Sequence, residues 1–276
     1  MDLRGPSAYS RLSLLFRGLL RVQFVKGSKL PNLAKGLTVA SSSPHIDKCL
    51  YTLAVLMSKP KLATLLAEFL GTLILVATVV GSGIMATNLT NDVGLQLTMN
   101  MLATVFVLFL IISMFGPISG AHFNPAVSLI FLITKGISGS VFLGYVLVQI
   151  IGAIGGALLA NLMFEIPHQI STNSRISFAT GVSEIVATAG LVLTILLLIK
   201  HNRALVAVGV ASWIGAAYLF SSSTSFANPA VTIGRVFSES FAGIEPVSAV
   251  TFISIQFLGA LLGLAIYKLL ERENHG

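Results

Sequence analysis

The sequence predicts an all-α membrane protein: six transmembrane helices plus two re-entrant half-helices, arranged as an inverted repeat. Three observations carry this. Hydrophobic residues make up 55% of the 276 and charged residues only 10%, against about 25% charged in globular proteins. The mean hydropathy is +0.91, so a water-soluble surface cannot be built. That excludes a disordered chain, a coiled coil and an ordinary cytosolic enzyme. Next, Asn-Pro-Ala occurs twice, at 124–126 and 228–230, each time after an uncharged, turn-rich stretch. Last, the order Glu, Asn-Pro-Ala, Gln is the same in both halves of the chain.

From the N-terminus, residues 1–60 fit no span. They hold most of the ten Lys and Arg found in residues 1–61, out of 17 in all. Basic residues ahead of a membrane span read as a cytoplasmic flank facing anionic lipid, rather than as a nucleic-acid surface. Residues 9–25 are basic and mixed-apolar, which suits a surface-lying helix or an Arg-rich targeting peptide. The alternatives for the whole extension are disorder and a mis-assigned start, with translation beginning at Met57.

A crossing helix needs about 20 apolar residues. Uncharged runs place spans at 62–91 (uncharged from 69, after Glu68), 93–134, 136–164, 176–199 (broken by Glu184), 204–234 and 246–267. The runs at 93–134 and 204–234 have 42 and 31 residues. Each holds one span, then a Gly, Pro or Ser cluster, then a short apolar tail. Such clusters break helices. Non-helical backbone at membrane depth survives only inside protein or along a wet cavity, so both are re-entrant loops.

Three pairs match in register: Glu68 with Glu184, Asn124-Pro125-Ala126-Val127 with Asn228-Pro229-Ala230-Val231, and Gln149 with Gln256. Each half has three spans, an odd number, so the second half starts from the opposite side. The domain is therefore 61–270, with repeats at 61–164 and 176–270. With both termini cytoplasmic, 15 Lys and Arg fall inside and two, Arg175 and Arg235, outside, as positive-inside topology asks.

Asn caps helices well and Pro suits the first helical position. Each motif therefore opens a short helix inside the membrane. Residues 125–133 would run about 14 Å, half of a ~30 Å core. Two such helices meeting end to end aim two positive dipole ends, and two carboxamides with two N–H donors each, at one spot. That arrangement suits a passing neutral hydroxyl compound and opposes cations, hydronium included.

On residues 67–72 (Ala-Glu-Phe-Leu-Gly-Thr), 119–127 (Ser-Gly-Ala-His-Phe-Asn-Pro-Ala-Val) and the second Asn-Pro-Ala, the chain resembles the aquaporin and glycerol-channel family, the major intrinsic proteins. The resemblance covers about residues 60–270. It implies a homotetramer in the plasma membrane, each protomer with its own pore for water and small neutral solutes. It also implies a four-residue selectivity filter, which spacing from the two Asn carries onto Thr104, Ala216, Ser225 and Val231. Most of the family has Arg where this chain has Val231. Without it the filter is expected to be wide and uncharged, with no bulky aromatic nearby and Arg235 as an exposed cation at the rim. Residues 223–231 and 241–245 resemble channels encoded beside bacterial arsenic-resistance genes, which pass arsenous acid or methylated forms as neutral polyols.

Glu68 and Glu184 are expected to accept loop backbone N–H groups, with Gln149 and Gln256 bracing the half-helices and His122 a candidate for the pore wall. The single cysteine, Cys49, allows no intrachain disulfide. No cofactor, metal, nucleic-acid partner or catalytic constellation is indicated. The alternatives are a water-selective pore and an ion-coupled secondary transporter, for which the two Glu would have to titrate.

Overall fold

A computed structural model describes residues 58–273; the N-terminal extension up to and including Met57 lies outside that range. Six helices are long and apolar enough to cross a membrane. In chain order they are α1 (Leu62–Leu89), α2 (Val93–Ser119), α4 (Gly139–Met163), α5 (Phe178–His201), α6 (Val206–Phe220, after a 3-10 turn at Arg203–Leu205) and α8 (Pro246–Glu273). Two short helices, α3 (Pro125–Ile133) and α7 (Pro229–Arg235), follow the re-entrant loops. The fold is the one the charge-free runs and the duplicated motif predict.

Helix starts are set locally. Asp92 caps α2 through Leu95 N at 2.8 Å. Ser138 caps α4, and Ser177 and Thr180 form a reciprocal capping box on α5. These side chains satisfy first-turn N–H groups that have no helical partner. Gly120 ends α2 in the left-handed region, φ 92°, where glycine carries no Cβ penalty.

Packing repeats in the two halves. On α4, Gly152 faces the α1 backbone so closely that a Cβ would lie 2.6 Å from Phe69 O. Gly156, one turn on, meets Leu73 O in the same way. On α8, a Cβ on Gly259 would lie 2.7 Å from Ile185 O of α5, and Gly263 meets Ala189 O. Small residues four apart let membrane helices approach backbone to backbone. The half-helices cross between halves: α7 packs on α4 and α3 on α8. The connection over 164–177 lies against the chain after α7, with Ser171 N donating to Val236 O at 2.8 Å.

Candidate functional site: the junction of the half-helices

The two Asn-Pro-Ala motifs meet at their N-terminal ends. Asn124 Oδ1 accepts from Ala126 N and Val127 N at 2.9 and 3.4 Å. Asn228 Oδ1 accepts from Ala230 N and Val231 N at 3.0 and 3.3 Å. Each carboxamide also reaches across. Asn124 Nδ2 donates to Ala227 O, and Asn228 Nδ2 to Phe123 O, both at 2.8 Å. Each NH2 carries two hydrogens, so among the described residues each Asn keeps one N–H uncommitted.

A carboxylate organises each loop. Glu68 accepts from Ser119 Oγ (2.6 Å), His122 N (3.0 Å), Phe123 N (2.7 Å) and Gln149 Nε2 (2.7 Å). Glu184 accepts from Ser223 Oγ (2.7 Å), Phe226 N (2.9 Å), Ala227 N (2.9 Å) and Gln256 Nε2 (2.7 Å). The Gln side chains go on to Ser128 Oγ (3.1 Å) and Thr232 Oγ1 (2.9 Å) on the half-helices. Both loops hold non-glycine residues at positive φ: Ala121 (53°) and Phe123 (49°), Ser225 (52°) and Ala227 (46°). That conformation is costly for residues with a Cβ. The charge-assisted bonds to each Glu fall on the N–H groups of this bent backbone.

The motif junction opens on a cavity whose walls are helix faces of four-residue spacing. Thr104, Leu108 and Ile112 line it from α2, and Val210, Ile214 and Tyr218 from α6. Leu75 and Leu191, each seven residues after its Glu, face it from α1 and α5. His122, Asn124, Asn228, Thr104, Ser225 and Val231 all line it; Pro125, Ala126, Pro229 and Ala230 are buried behind, in the first turns of α3 and α7. His122 Nδ1 lies 3.0 Å from Ser128 Oγ, and its ring stacks on Phe131 at 4.4 Å.

Two expectations fail. Ala216 is exposed and outside the cavity. It lies two residues from both Ile214 and Tyr218, about 200° round α6 at 3.6 residues per turn. The count back from Asn228 crosses an irregular turn, so it lands on the wrong face. The α6 residue that does project inward at this end is Tyr218, whose Oη lies 3.3 Å from Thr104 Oγ1.

Arg235 is the second correction. It is the last residue of α7, is 3% exposed rather than at an exposed rim, and lines the cavity. Its guanidinium carbon lies 3.4 Å from the centroid of Phe226, and its Nε donates to Ala242 O. The wall at this end is therefore neither uncharged nor free of bulky aromatics. Arg175 lies over the same ring at 5.4 Å and donates to Gly243 O and Phe241 O, both at 2.8 Å. It thereby pins the strand of chain that holds Arg235. Two signals were available in the sequence. Arg235 is four residues from Val231, one turn along the same helix face, and Phe226 occupies the place in the second loop that His122 occupies in the first.

The family profile described as Major intrinsic protein matches residues 55–222. The chain belongs to the major intrinsic protein family. It is 47% identical over 203 residues to aquaglyceroporin AqpS of Rhizobium meliloti (strain 1021), covering 73% of this chain and 87% of that one. It is 28% identical over 233 residues to aquaporin NIP1-1 of Zea mays, covering 80% and 79%. Its fold matches the X-ray structure of the aquaglyceroporin from Plasmodium falciparum, with TM-score 0.57 and 22% identity over 74% of this chain and 94% of that one. As a major intrinsic protein it is a multi-pass membrane channel and not an enzyme.

Proposed function

We propose that the chain forms a passive pore for small neutral solutes: water, glycerol-like polyols and, in the same size class, arsenous acid and methylarsenite. The observation that carries this is the pair of uncommitted N–H donors on Asn124 and Asn228, facing one cavity where two half-helices meet. A hydroxyl solute that sheds water there regains hydrogen bonds, while two positive dipole ends oppose cations. Thr104, Ser225 and Val231 form the filter with Tyr218 in place of Ala216. Residues 61–270 make the channel domain, preceded by the 1–60 extension. Four copies assemble in the plasma membrane with both termini cytoplasmic. The name of the Rhizobium relative supports the polyol solutes, and the resemblance at 223–231 and 241–245 supports the arsenical ones.

An ion-coupled transporter needs a carboxylate free to titrate, and each Glu already holds four donors. Arg235 and Tyr218 favour a second reading, a water-selective pore, since both fill the end that Val231 leaves wide. Stopped-flow re-swelling of proteoliposomes decides. Glycerol and arsenous acid passing above protein-free vesicles supports the solute channel. Water alone passing leaves the water-selective pore, and uphill uptake in a proton or sodium gradient would replace both.

A further inference from the structure

Arg235 and Arg175 bring two positive charges to the Phe226 ring, and Glu184 is the carboxylate that acts on Arg235. A guanidinium has five N–H donors. The Ala242 carbonyl takes the one on Nε, and among the described residues no acceptor takes the four on the terminal nitrogens. Among the described residues neither Arg235 nor Arg175 forms an ion pair; Lys200 pairs with Glu271 instead. The Glu184 carboxylate is close enough to act on Arg235, but its oxygens are occupied by the loop and Gln256. Arg175 adds a second positive charge 5.4 Å from the Phe226 ring centroid. In the same wall the Ser225 hydroxyl is buried with no hydrogen-bond partner.

Buried positive charge in excess of its counter-charge is costly, and low-dielectric surroundings strengthen its pull on an anion. A neutral polyol could use the free donors and would leave the charge in place. An anion satisfies both. The flat fork of Arg suits paired oxygens on one centre, and stacking on Phe226 holds that fork still. We propose that the Tyr218 end of the pore is a seat for a small, singly charged oxyanion, bound by Arg235 and the Ser225 hydroxyl, and that its occupancy blocks the solute file. The proposal rests on the channel reading above. Neutral solutes and water then pass only while the seat is empty.

Methanesulfonate is a suitable probe, being permanently ionised, oxygen-bearing and small. Full-length protein in liposomes is shrunk osmotically in sodium chloride or in sodium methanesulfonate of equal ionic strength, and water permeability is read by stopped flow. Wild type should slow as methanesulfonate replaces chloride, by about 10-fold at some ten times the dissociation constant, by mass action. Arg235→Leu should show no difference between the salts, and Arg235→Lys, which keeps the charge and loses the fork, a weaker block. Equal wild-type permeability in both salts, or equal block in Arg235→Leu, overturns the proposal. Should Arg235→Leu not fold, the midpoint of thermal unfolding in detergent decides. Methanesulfonate should raise it more for wild type than for Arg235→Lys, and equal shifts overturn the seat. Wild type no faster than protein-free vesicles in chloride would instead sink the channel reading.

Discussion

The re-entrant loops before α3 and α7 share a scaffold and differ in what they show the pore. Residue for residue, Ser119, His122, Phe123, Gln149 and Ser128 answer to Ser223, Phe226, Ala227, Gln256 and Thr232 around their Glu. The distances agree within a few tenths of an ångström. The faces do not agree. His122 turns back to Ser128 of its own half-helix. Phe226 offers its ring to Arg235 at 3.4 Å and to Arg175 at 5.4 Å. Duplication preserved the groups that hold the backbone and released the ones beside the solute. One end of the pore is walled by an imidazole satisfied by a hydroxyl, the other by a guanidinium with donors to spare.

The matched scaffold is tested first, where the largest effect is expected. Glu68→Gln and Glu184→Gln each replace a carboxylate that accepts four donors with a group that has one acceptor oxygen and two hydrogens of its own. Each should lose about 3 kcal/mol or more of stability, since charge-assisted bonds contribute about 1.5–3 kcal/mol each. Thermal unfolding in detergent should show similar losses for both. One variant unfolding while the other behaves as wild type would end the equivalence of the loops.

Next come Asn124→Leu and Asn228→Leu. Each removes a helix cap, a loss of about 1 kcal/mol, and should cut solute flux strongly. Because each Asn binds the other's loop, the double variant should lose less stability than the singles added together. Strict additivity would mean the loops do not lean on one another, and unchanged flux in both singles would move the pathway elsewhere.

Val231→Arg tests the difference between the faces. It adds a second guanidinium one turn from Arg235, in a wall also lined by Thr104, Tyr218, Ser225 and Phe226. Water permeability should persist while glycerol and arsenous acid flux falls, measured at matched protein density. Equal passage of the larger solutes would take position 231 out of the constriction.

The smallest effect is expected from His122→Phe, which gives the first loop the residue of the second. The bond to Ser128 is lost, about 1 kcal/mol of stability, with the Asn pair and water flux unaffected. A large fall in flux would mean that His122 handles solute directly.

What was legible in the sequence follows from the same contrast. The six spans, the half-helices and the repeat rest on local signals: charge-free runs, an Asn-Pro start and a duplicated Glu and Gln. The burial of Arg235 was hidden because it depends on how the chain on either side of α7 folds back over its side chain. The ring of Phe226 comes from the loop before its own helix, and the carbonyl of Ala242 is held by Arg175 from the connection between the halves. Read locally, a cation at the end of a seven-residue helix belongs at a surface. Ala216 failed for a different reason. Counting residues through an irregular turn preserves order but not rotation, and on a helix two residues are the difference between the cavity wall and the opposite face.

The crossed bonds of the two Asn side chains also impose an order of events. The acceptor for Asn124 is the carbonyl of Ala227, 103 residues later. At translation rates of 5–20 residues per second that acceptor is made roughly 5–20 s after its donor. Through that interval the first motif has neither crossed bond and the second does not exist. The first loop therefore cannot reach its final form as it is inserted. It must wait, shielded from lipid by translocation machinery or by its own neighbouring helices, until the second half arrives to close it.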